Sequence, residues 1–243
     1  MCEPEPLSAL ACVNAMILAG GKGTRLRSVI GHRQKVVANV GGRPFLLNLL
    51  EQLNRHGLRK VILCTGFKGE QVAETIGYRY KSLHLSYSCE PAALGTGGAL
   101  KYAADRLDSE IVLVMNGDSY CPIHLSRLYQ WHQQNHARST LVLAQVPNVA
   151  RYGQVCLDSH SKITRFNEKG EQTGPGWISA GIYLLNRLCI DNIAADRNVS
   201  IEHDVFPLMV GSGLYGYKST ARFIDIGTPE SYSLAQKQLN ATT

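Results

Sequence analysis

The chemistry of this chain is written where apolar runs stop. Val13 to Ala19 is a continuous apolar run, and it leads into Leu18-Ala19-Gly20-Gly21-Lys22-Gly23-Thr24-Arg25-Leu26. Glycines let a backbone turn sharply and approach a ligand closely, so that N–H groups can meet phosphate oxygens. Lys22 adds a point charge, and the planar guanidinium of Arg25 can grip a phosphate through two parallel hydrogen bonds. The spacing is neither G-x-x-x-x-G-K-[ST] nor G-x-G-x-x-G. Three glycines alone would pass for a tight connection; the two embedded cations favour phosphate binding.

A second apolar run, Val112 to Met115, ends in Asn116-Gly117-Asp118, and Phe223-Ile224-Asp225-Ile226-Gly227 sets another carboxylate in an equivalent context. Asp118, at the carboxyl edge of the sheet, suits a hard cation such as Mg²⁺; the usual alternative is a helix cap for the next segment. Glu90-Pro91-Ala92-Ala93-Leu94-Gly95-Thr96-Gly97-Gly98 opens a helix with small residues. A flat base or sugar can lie against such a backbone, and a helix N-terminus favours negative charge. The plainer reading is a helix packed closely through its glycines.

These loops need a scaffold that gathers strand ends. Buried strands are expected at Val13–Ala19, Lys60–Thr65, Leu83–Ser88, Glu110–Asn116, Ser139–Val146 and Trp177–Leu185, from apolar runs. Helical spacing marks Pro44–His56, with Pro44 in the first turn and Gly57 at the end. It also marks Gly69–Ile76, Gly97–Leu107, His124–His136, His203–Val210 and Pro229–Asn240. Short strands are expected on either side of a turn at Asp158–Lys162, and again at Leu214–Lys218 and Arg222–Asp225. The alternation implies an α/β fold, a mostly parallel sheet with helices on both faces and a β-rich insertion in the middle. Ligands in such sheets bind beyond the carboxyl ends of the strands, where the polar loops lie. We expect residues 1–12 to be a flexible N-terminal extension and 13–243 a single domain.

Composition narrows the partners. The chain has 243 residues, a net charge of +6 and 18% charged residues. A basic balance suits anionic ligands, but no basic run with interleaved aromatics suggests nucleic acid. No apolar stretch is long enough to cross a bilayer, and the start lacks the features of a signal peptide. The seven dispersed cysteines form no C-x-x-C pair, so we expect reduced, mostly buried thiols in a cytoplasmic protein. A homo-oligomer is compatible with the sequence.

Taken together, L-A-G-G-K-G-T-R-L, L-G-T-G-G-A, N-G-D at Asn116–Asp118, F-N-E-K at Phe166–Lys169, G-W-I-S-A-G-I-Y at Gly176–Tyr183, S-I-E-H-D-V-F-P at Ser200–Pro207 and F-I-D-I-G-T-P-E-S-Y from Phe223 resemble the sugar-phosphate nucleotidyltransferase family. The likeness covers nearly the whole chain after residue 13. It implies a Rossmann-like fold with a sugar-binding insertion, and transfer of a nucleoside monophosphate from an NTP to a sugar 1-phosphate with Mg²⁺. It further implies that Leu18, Ala19, Gly20, Gly21, Gly23, Thr24, Arg25, Lys35, Gly95, Thr96, Gly97, Asn116 and Gly117 bind the nucleotide. Asp118 and Asp225 would hold the metal. Glu168, Lys169, Ser179 and Glu202 would bind the sugar phosphate. The chain departs from the family pattern at Gln34-Lys35-Val36, usually Pro-Lys-Pro, and at Ser179, usually Asn.

Within the family, the segments point to GTP and D-glycero-α-D-manno-heptose 1-phosphate, giving GDP-heptose for a bacterial surface polysaccharide. Residue chemistry alone leaves the base and sugar open: UTP or dTTP with a hexose 1-phosphate, CTP with an alcohol phosphate, or a nucleotide-sugar-sensing subunit without turnover. An acceptor phosphate is already an anion, so no protein nucleophile or strong base is needed. Alignment and charge neutralisation suffice, from Arg25, Lys35, Lys169 and the two aspartates.

Overall fold

The computed structural model describes residues 9–240. Strand β1 (Asn14–Leu18) lies in the middle of its sheet because both faces are apolar. Ala15 and Ile17 pack into one layer with Leu46, Leu49, Leu50 and Leu53. Met16 packs into the other, with Leu100 and Ala103. All of these side chains have negligible exposure, and burying a leucine stabilises by about 1.5–3 kcal/mol. This is why the strand reads as an unbroken apolar run.

Beyond β1, the strands are β2 (Asn39–Val40), β3 (Arg43–Pro44), β4 (Lys60–Thr65), β5 (Arg79–Tyr80), β6 (Leu83–Cys89) and β7 (Ile111–Asn116). The second half supplies β8 (Ser119–Tyr120), β9 (Ser139–Val146), β10 (Gln154–Leu157), β11 (Ile163–Asn167), β12 (Gly176–Asn186), β13 (Leu214–Ser219) and β14 (Ile224–Asp225). The helices are α1 (Arg27–Ile30), α2 (Leu46–Arg55), α3 (Gly69–Ile76), α4 (Gly95–Tyr102), α5 (Leu125–Gln134), α6 (Arg187–Asp191) and α7 (Pro229–Asn240). Eight strands form one sheet in the order β13-β9-β12-β7-β1-β4-β6-β5. It is mostly parallel, with β12 and β5 antiparallel to their neighbours. The α/β architecture read from the alternation is the observed one.

This order creates the site. From β1 the chain steps outward to β4 and β6, then returns to place β7 on the other side of β1. The loops after β1 and β7 therefore part at the carboxyl edge, a topological switch point where ligands bind. A two-stranded ribbon of β8 and β14 closes one end and aligns Asp225 with Ser119. Ile226 N donates to Asp118 O at 3.0 Å, so residues distant in sequence bring two carboxylates to one edge. The expected β-rich insertion is the antiparallel pair β10–β11.

Several boundaries differ from expectation. Pro44 does not open α2; it sits in β3, whose pairing with β2 is followed by Phe45 N donating to Ala38 O, and the helix starts at Leu46. Gly57 does end it, with φ +81°. The helix expected at Gly97 starts at Gly95 and yields to a 3₁₀ turn at Ala104–Arg106. The helix expected at His203–Val210 is two short turns, Ile201–Val205 and Phe206–Met209. Residues 1–8 of the expected flexible extension lie outside the described residues; within the remainder, Leu10 is 1% exposed and packed in the core. Of the described cysteines, all free, Cys64 and Cys121 are buried, whereas Cys12 and Cys89 are exposed. Cys2 lies outside the described residues. Among the described residues, no helix is long and apolar enough to cross a membrane.

Strand β12 carries a bulge between Ser179, opposite Leu143, and Tyr183, opposite Leu141. Gly181 makes it, at φ +70°, and a Cβ there would lie 2.6 Å from Ser119 Oγ and 2.8 Å from Asn116 Nδ2. Gly181→Ala should therefore cost about 2–4 kcal/mol in chemical denaturation, from backbone strain plus overpacking. An unchanged midpoint would contradict this reading of the bulge.

Candidate active site

Two cavities meet at the switch point, sharing Asn116 and Asp118 as their common wall. The first, about 360 Å³, is walled by Leu18, Gly20, Gly21, Lys22 and Lys35 on one side and Glu90, Ala93, Gly95 and Thr96 on the other. The second, about 170 Å³, gathers Arg25, Arg151, Tyr152, Lys169, Ser179, Glu202 and Asp225. A smaller recess of about 60 Å³ continues from it, lined by Gln154, Asn167, Glu168, Lys169, Glu202 and His203. Leu18, Gly20, Gly21, Lys35, Gly95 and Thr96, expected to bind nucleotide, line the first cavity, but Arg25, expected with them, lines the second beside Lys169, Ser179 and Glu202.

Five expected nucleotide contacts line neither cavity, and three of them use their N–H groups inside the fold. Ala19 N donates to Cys64 O at 2.8 Å, Gly97 N to Val199 O at 2.8 Å, and Gly117 N to Leu18 O at 2.9 Å. These residues pack. A Cβ on Gly117 would meet Leu18 O at 2.6 Å, which explains why the strand end needs glycine. Gly23 and Thr24 belong to the loop but also line neither cavity. At φ +58°, Gly23 lets Lys35 pack underneath, its Cβ 3.2 Å from where a glycine Cβ would sit.

The two aspartates already carry cations. Lys35 Nζ lies 2.5 Å from Asp118 Oδ2, with the lysine side chain 9% exposed and the aspartate 44%. Asp225 Oδ1 accepts from Arg151 Nη2 at 2.8 Å, Ser231 Oγ at 3.0 Å and Gly227 N at 2.8 Å, while its Oδ2 accepts from Tyr152 OH at 2.6 Å. Burial, and then that carboxylate, push the Tyr152 hydroxyl above its usual range, so it stays a donor. Among the described residues, no acid pairs with Lys22, Arg25 or Lys169. These three cations are free for an anionic ligand.

On the acceptor side, Tyr183 organises the wall. It is fully buried, and its hydroxyl donates to Glu202 Oε1 at 2.5 Å. Burial raises it well above the ordinary tyrosine range, with the Glu202 charge adding to the shift. Ser179 Oγ and Asn116 Nδ2 each stand 3.4 Å from the same oxygen. Ser200 Oγ accepts from His203 N at 3.2 Å, so the capping pattern is real and presents Glu202 to the cavity. Glu168 and His203 face each other at 3.2 Å across the recess.

The sequence reading missed Arg151, Tyr152, His203 and the role of Glu90. Arg151 and Tyr152 follow no long apolar run, so nothing marked them as strand-end residues. Glu90 was visible only as the start of a small-residue segment. It ends β6 with its N–H donating to Thr65 O, and its Oε2 accepts from Leu94 N at 3.2 Å. The other oxygen takes no bond from a described residue, and desolvation raises the pKa above the ordinary glutamate value. Cys64 lines the same cavity, but burial pushes its thiol up to about 12, which makes it no nucleophile at neutral pH.

Comparison with known proteins identifies the family. Residues 14–242 match the nucleotidyl transferase family. A D-glycero-alpha-D-manno-heptose 1-phosphate guanylyltransferase of Aneurinibacillus thermoaerophilus is 36% identical over 228 residues, spanning 93% of this chain and 98% of that one. A mannose-1-phosphate guanylyltransferase of Mycobacterium tuberculosis is 35% identical over 90% of this chain, which spans 62% of its length. The structure of HddC from Yersinia pseudotuberculosis complexed with GMP-PN superposes with a TM-score of 0.82 at 31% identity, covering 93% of this chain and 99% of HddC. A putative glucose-1-phosphate thymidylyltransferase from Bacillus anthracis, at 19% identity and a TM-score of 0.84, shares the fold. With the match running from the first strand to the last helix, the chain belongs to the nucleotidyl transferase family.

Proposed function

We propose that this enzyme transfers GMP from GTP to D-glycero-α-D-manno-heptose 1-phosphate, releasing pyrophosphate and GDP-heptose for bacterial surface polysaccharide synthesis in the cytoplasm. The observation that carries the donor is Glu90. Among the described residues no cation pairs with its half-buried carboxylate, in a cavity that Lys22 and Lys35 also line. A carboxylate repels a polyanion's phosphates, so Glu90 suits a donor-rich part of the ligand. Guanine offers adjacent N1–H and N2–H donors to one carboxylate, whereas uracil and thymine offer one N–H between two carbonyls. A Cβ on Gly66 or Gly20 would lie 2.7 or 3.0 Å from Glu90 Oε1, so both glycines make room for it.

The reaction needs an oxygen of the acceptor phosphate to attack the α-phosphorus as the bond to the β-phosphate breaks. Lys22 and Lys35, with the loop N–H groups, hold the triphosphate and neutralise the departing pyrophosphate. Arg25 and Lys169 enter from the acceptor side and bring the second anion into line, which is the main barrier between two polyanions. Asp118 and Asp225 are hard oxygen donors on one edge and fit Mg²⁺, which takes one or two carboxylates and completes its shell with phosphate oxygens and water. Among the described residues, no group of three or more His, Cys, Asp or Glu side chains could hold a metal without such help. When bound, the ion would add charge neutralisation at the α-phosphate. Lys35 and Arg151, paired with those aspartates, supply positive charge that a phosphate would meet at the same edge.

For the acceptor, Glu202 and Ser179 suit sugar hydroxyls, and the recess with Gln154, Asn167, Glu168 and His203 offers polar partners for a longer hydroxylated chain. The heptose relative, aligned along nearly its full length, supports that choice. Mannose 1-phosphate is the second reading, favoured by the relative of nearly equal identity.

The direct test is pyrophosphate release with Mg²⁺, pairing GTP, ATP, CTP, UTP and dTTP with heptose, mannose and glucose 1-phosphates. Release concentrated on GTP plus the heptose phosphate is expected; another pair would overturn the substrates, and silence would overturn catalysis. Glu90→Gln should lower kcat/KM for GTP by about 10- to 100-fold and narrow the preference over UTP, as loss of a charged hydrogen-bonding partner does. Because burial raises the Glu90 pKa, its carboxylate weakens the fold at neutral pH and ceases to as pH falls through that pKa. The same variant should therefore melt at an equal or higher temperature at pH 7. Tyr183→Phe should raise KM for the sugar phosphate about tenfold while leaving KM for GTP unchanged, since Glu202 loses its buried donor. A shift confined to GTP would reject that assignment.

A further inference from the structure

The departure at Gln34-Lys35-Val36 has a structural counterpart. Gln34 is 1% exposed, and its side chain bridges two loops. Its Nε2 donates to Ala19 O at 2.5 Å and, with a longer reach, to Gly21 O at 3.4 Å. Its Oε1 accepts from Val36 N at 2.7 Å, and its own N–H donates to Gln71 Oε1 at 2.5 Å. Both ends of the amide are therefore used, although no ligand is needed to use them. The backbone at Gln34 has φ −66° and ψ 134°, the region that a proline ring would impose. Here the conformation is held by hydrogen bonds, one of them from the N–H of Val36, which a proline at that position could not supply.

We propose that Gln34 is the positioning residue of the triphosphate site, clamping the glycine turn after β1 to the 3₁₀ turn Lys35–Val37 that carries Lys35. The proposal rests on reading the first cavity as the nucleotide site. In a trans peptide the carbonyl and the next N–H point in opposite directions, so fixing Ala19 O and Gly21 O also fixes the N–H groups of Gly20 and Lys22. Those N–H groups donate to no described residue, and both residues line the cavity. Two consecutive glycines would otherwise leave this turn free to sample many conformations, and ordering it would oppose binding. The clamp keeps the N–H donors and the Lys35 ammonium at one separation before the nucleotide arrives.

Gln34→Glu and Gln34→Leu test this. Glu keeps the shape and the acceptor for Val36 N, but turns an oxygen toward two carbonyls; Leu removes all three side-chain bonds. Each should raise KM for GTP at least about tenfold, with KM for the sugar phosphate within about threefold, as loss of buried hydrogen bonds at one subsite implies. Calorimetry with inorganic tripolyphosphate should show a similar loss of affinity in both variants, and this probe does not depend on the base. If the donor panel returns another nucleotide, the kinetic arm uses that one, so an error in the donor leaves the clamp testable. If the Leu variant does not fold, the Glu variant decides. Unchanged nucleotide and tripolyphosphate affinity, or equal losses for both substrates alongside a lower melting temperature, would overturn the proposal in favour of a purely structural amide.

Discussion

The site depends on one constraint: like charges must be brought together without a protein nucleophile to relieve them. The ion pair between Lys35 and Asp118 is where the fold meets it. Asp118 stands at the wall shared by the two cavities, so a carboxylate occupies the place where two phosphate-bearing ligands would approach. Lys35, nearly buried, neutralises it, and Arg151 does the same for Asp225. Each acidic group thus has a basic partner that a phosphate can take over when a cation binds the acid. The parting of the loops after β1 and β7 exists to hold these charges at one edge. Gly117, Gly23 and Gly181 are required because the backbone must come close there.

That arrangement explains which parts could be read from the sequence. Strands buried on both faces, such as Lys60–Thr65 and Ser139–Val146, announce themselves because layers on either side demand apolar residues throughout. The closing helix, Pro229–Asn240, and Gly69–Ile76 were also legible, from their spacing. Two-residue ribbons were legible only in part. The short strand expected at Arg222–Asp225 is there as Ile224–Asp225, but its partner Ser119–Tyr120, about a hundred residues away, carries no periodicity. Yet this ribbon sets the second aspartate beside the first. Likewise Pro44 carried a local helix-start signal, but the ribbon of Asn39–Val40 with Arg43–Pro44 overrode it.

The candidate site was legible where charge followed a long apolar run, as at Arg25 and Asp118, and through family resemblance at Lys169, Glu168 and Glu202. It was less legible where a small residue also serves packing. Ala19, Gly97 and Gly117 sit within motifs that line the crevice, but their N–H groups face inward. A motif identifies a segment; only the hydrogen bonds decide which residues in it are turned toward a ligand. Arg151 and Tyr152 show the converse, since a loop between short strands gives no hint that it reaches across to Asp225.

The fold itself cannot select the donor. A protein 19% identical, described as a putative thymidylyltransferase, superposes as well as HddC does. Discrimination must therefore reside in side chains added to a common backbone. Glu90 is the side chain whose presence is hardest to explain by stability: it is half-buried, burial raises its pKa, no cation among the described residues pairs with it, and a glutamine would fill the same space. Groups that fold poorly but persist in a cavity are best explained by what they bind. The glycines at 20 and 66 reinforce the argument, since any side chain there would strike the carboxylate. Room has been left around a group that the unliganded protein leaves incompletely paired, and that combination points to a ligand with donors to spare.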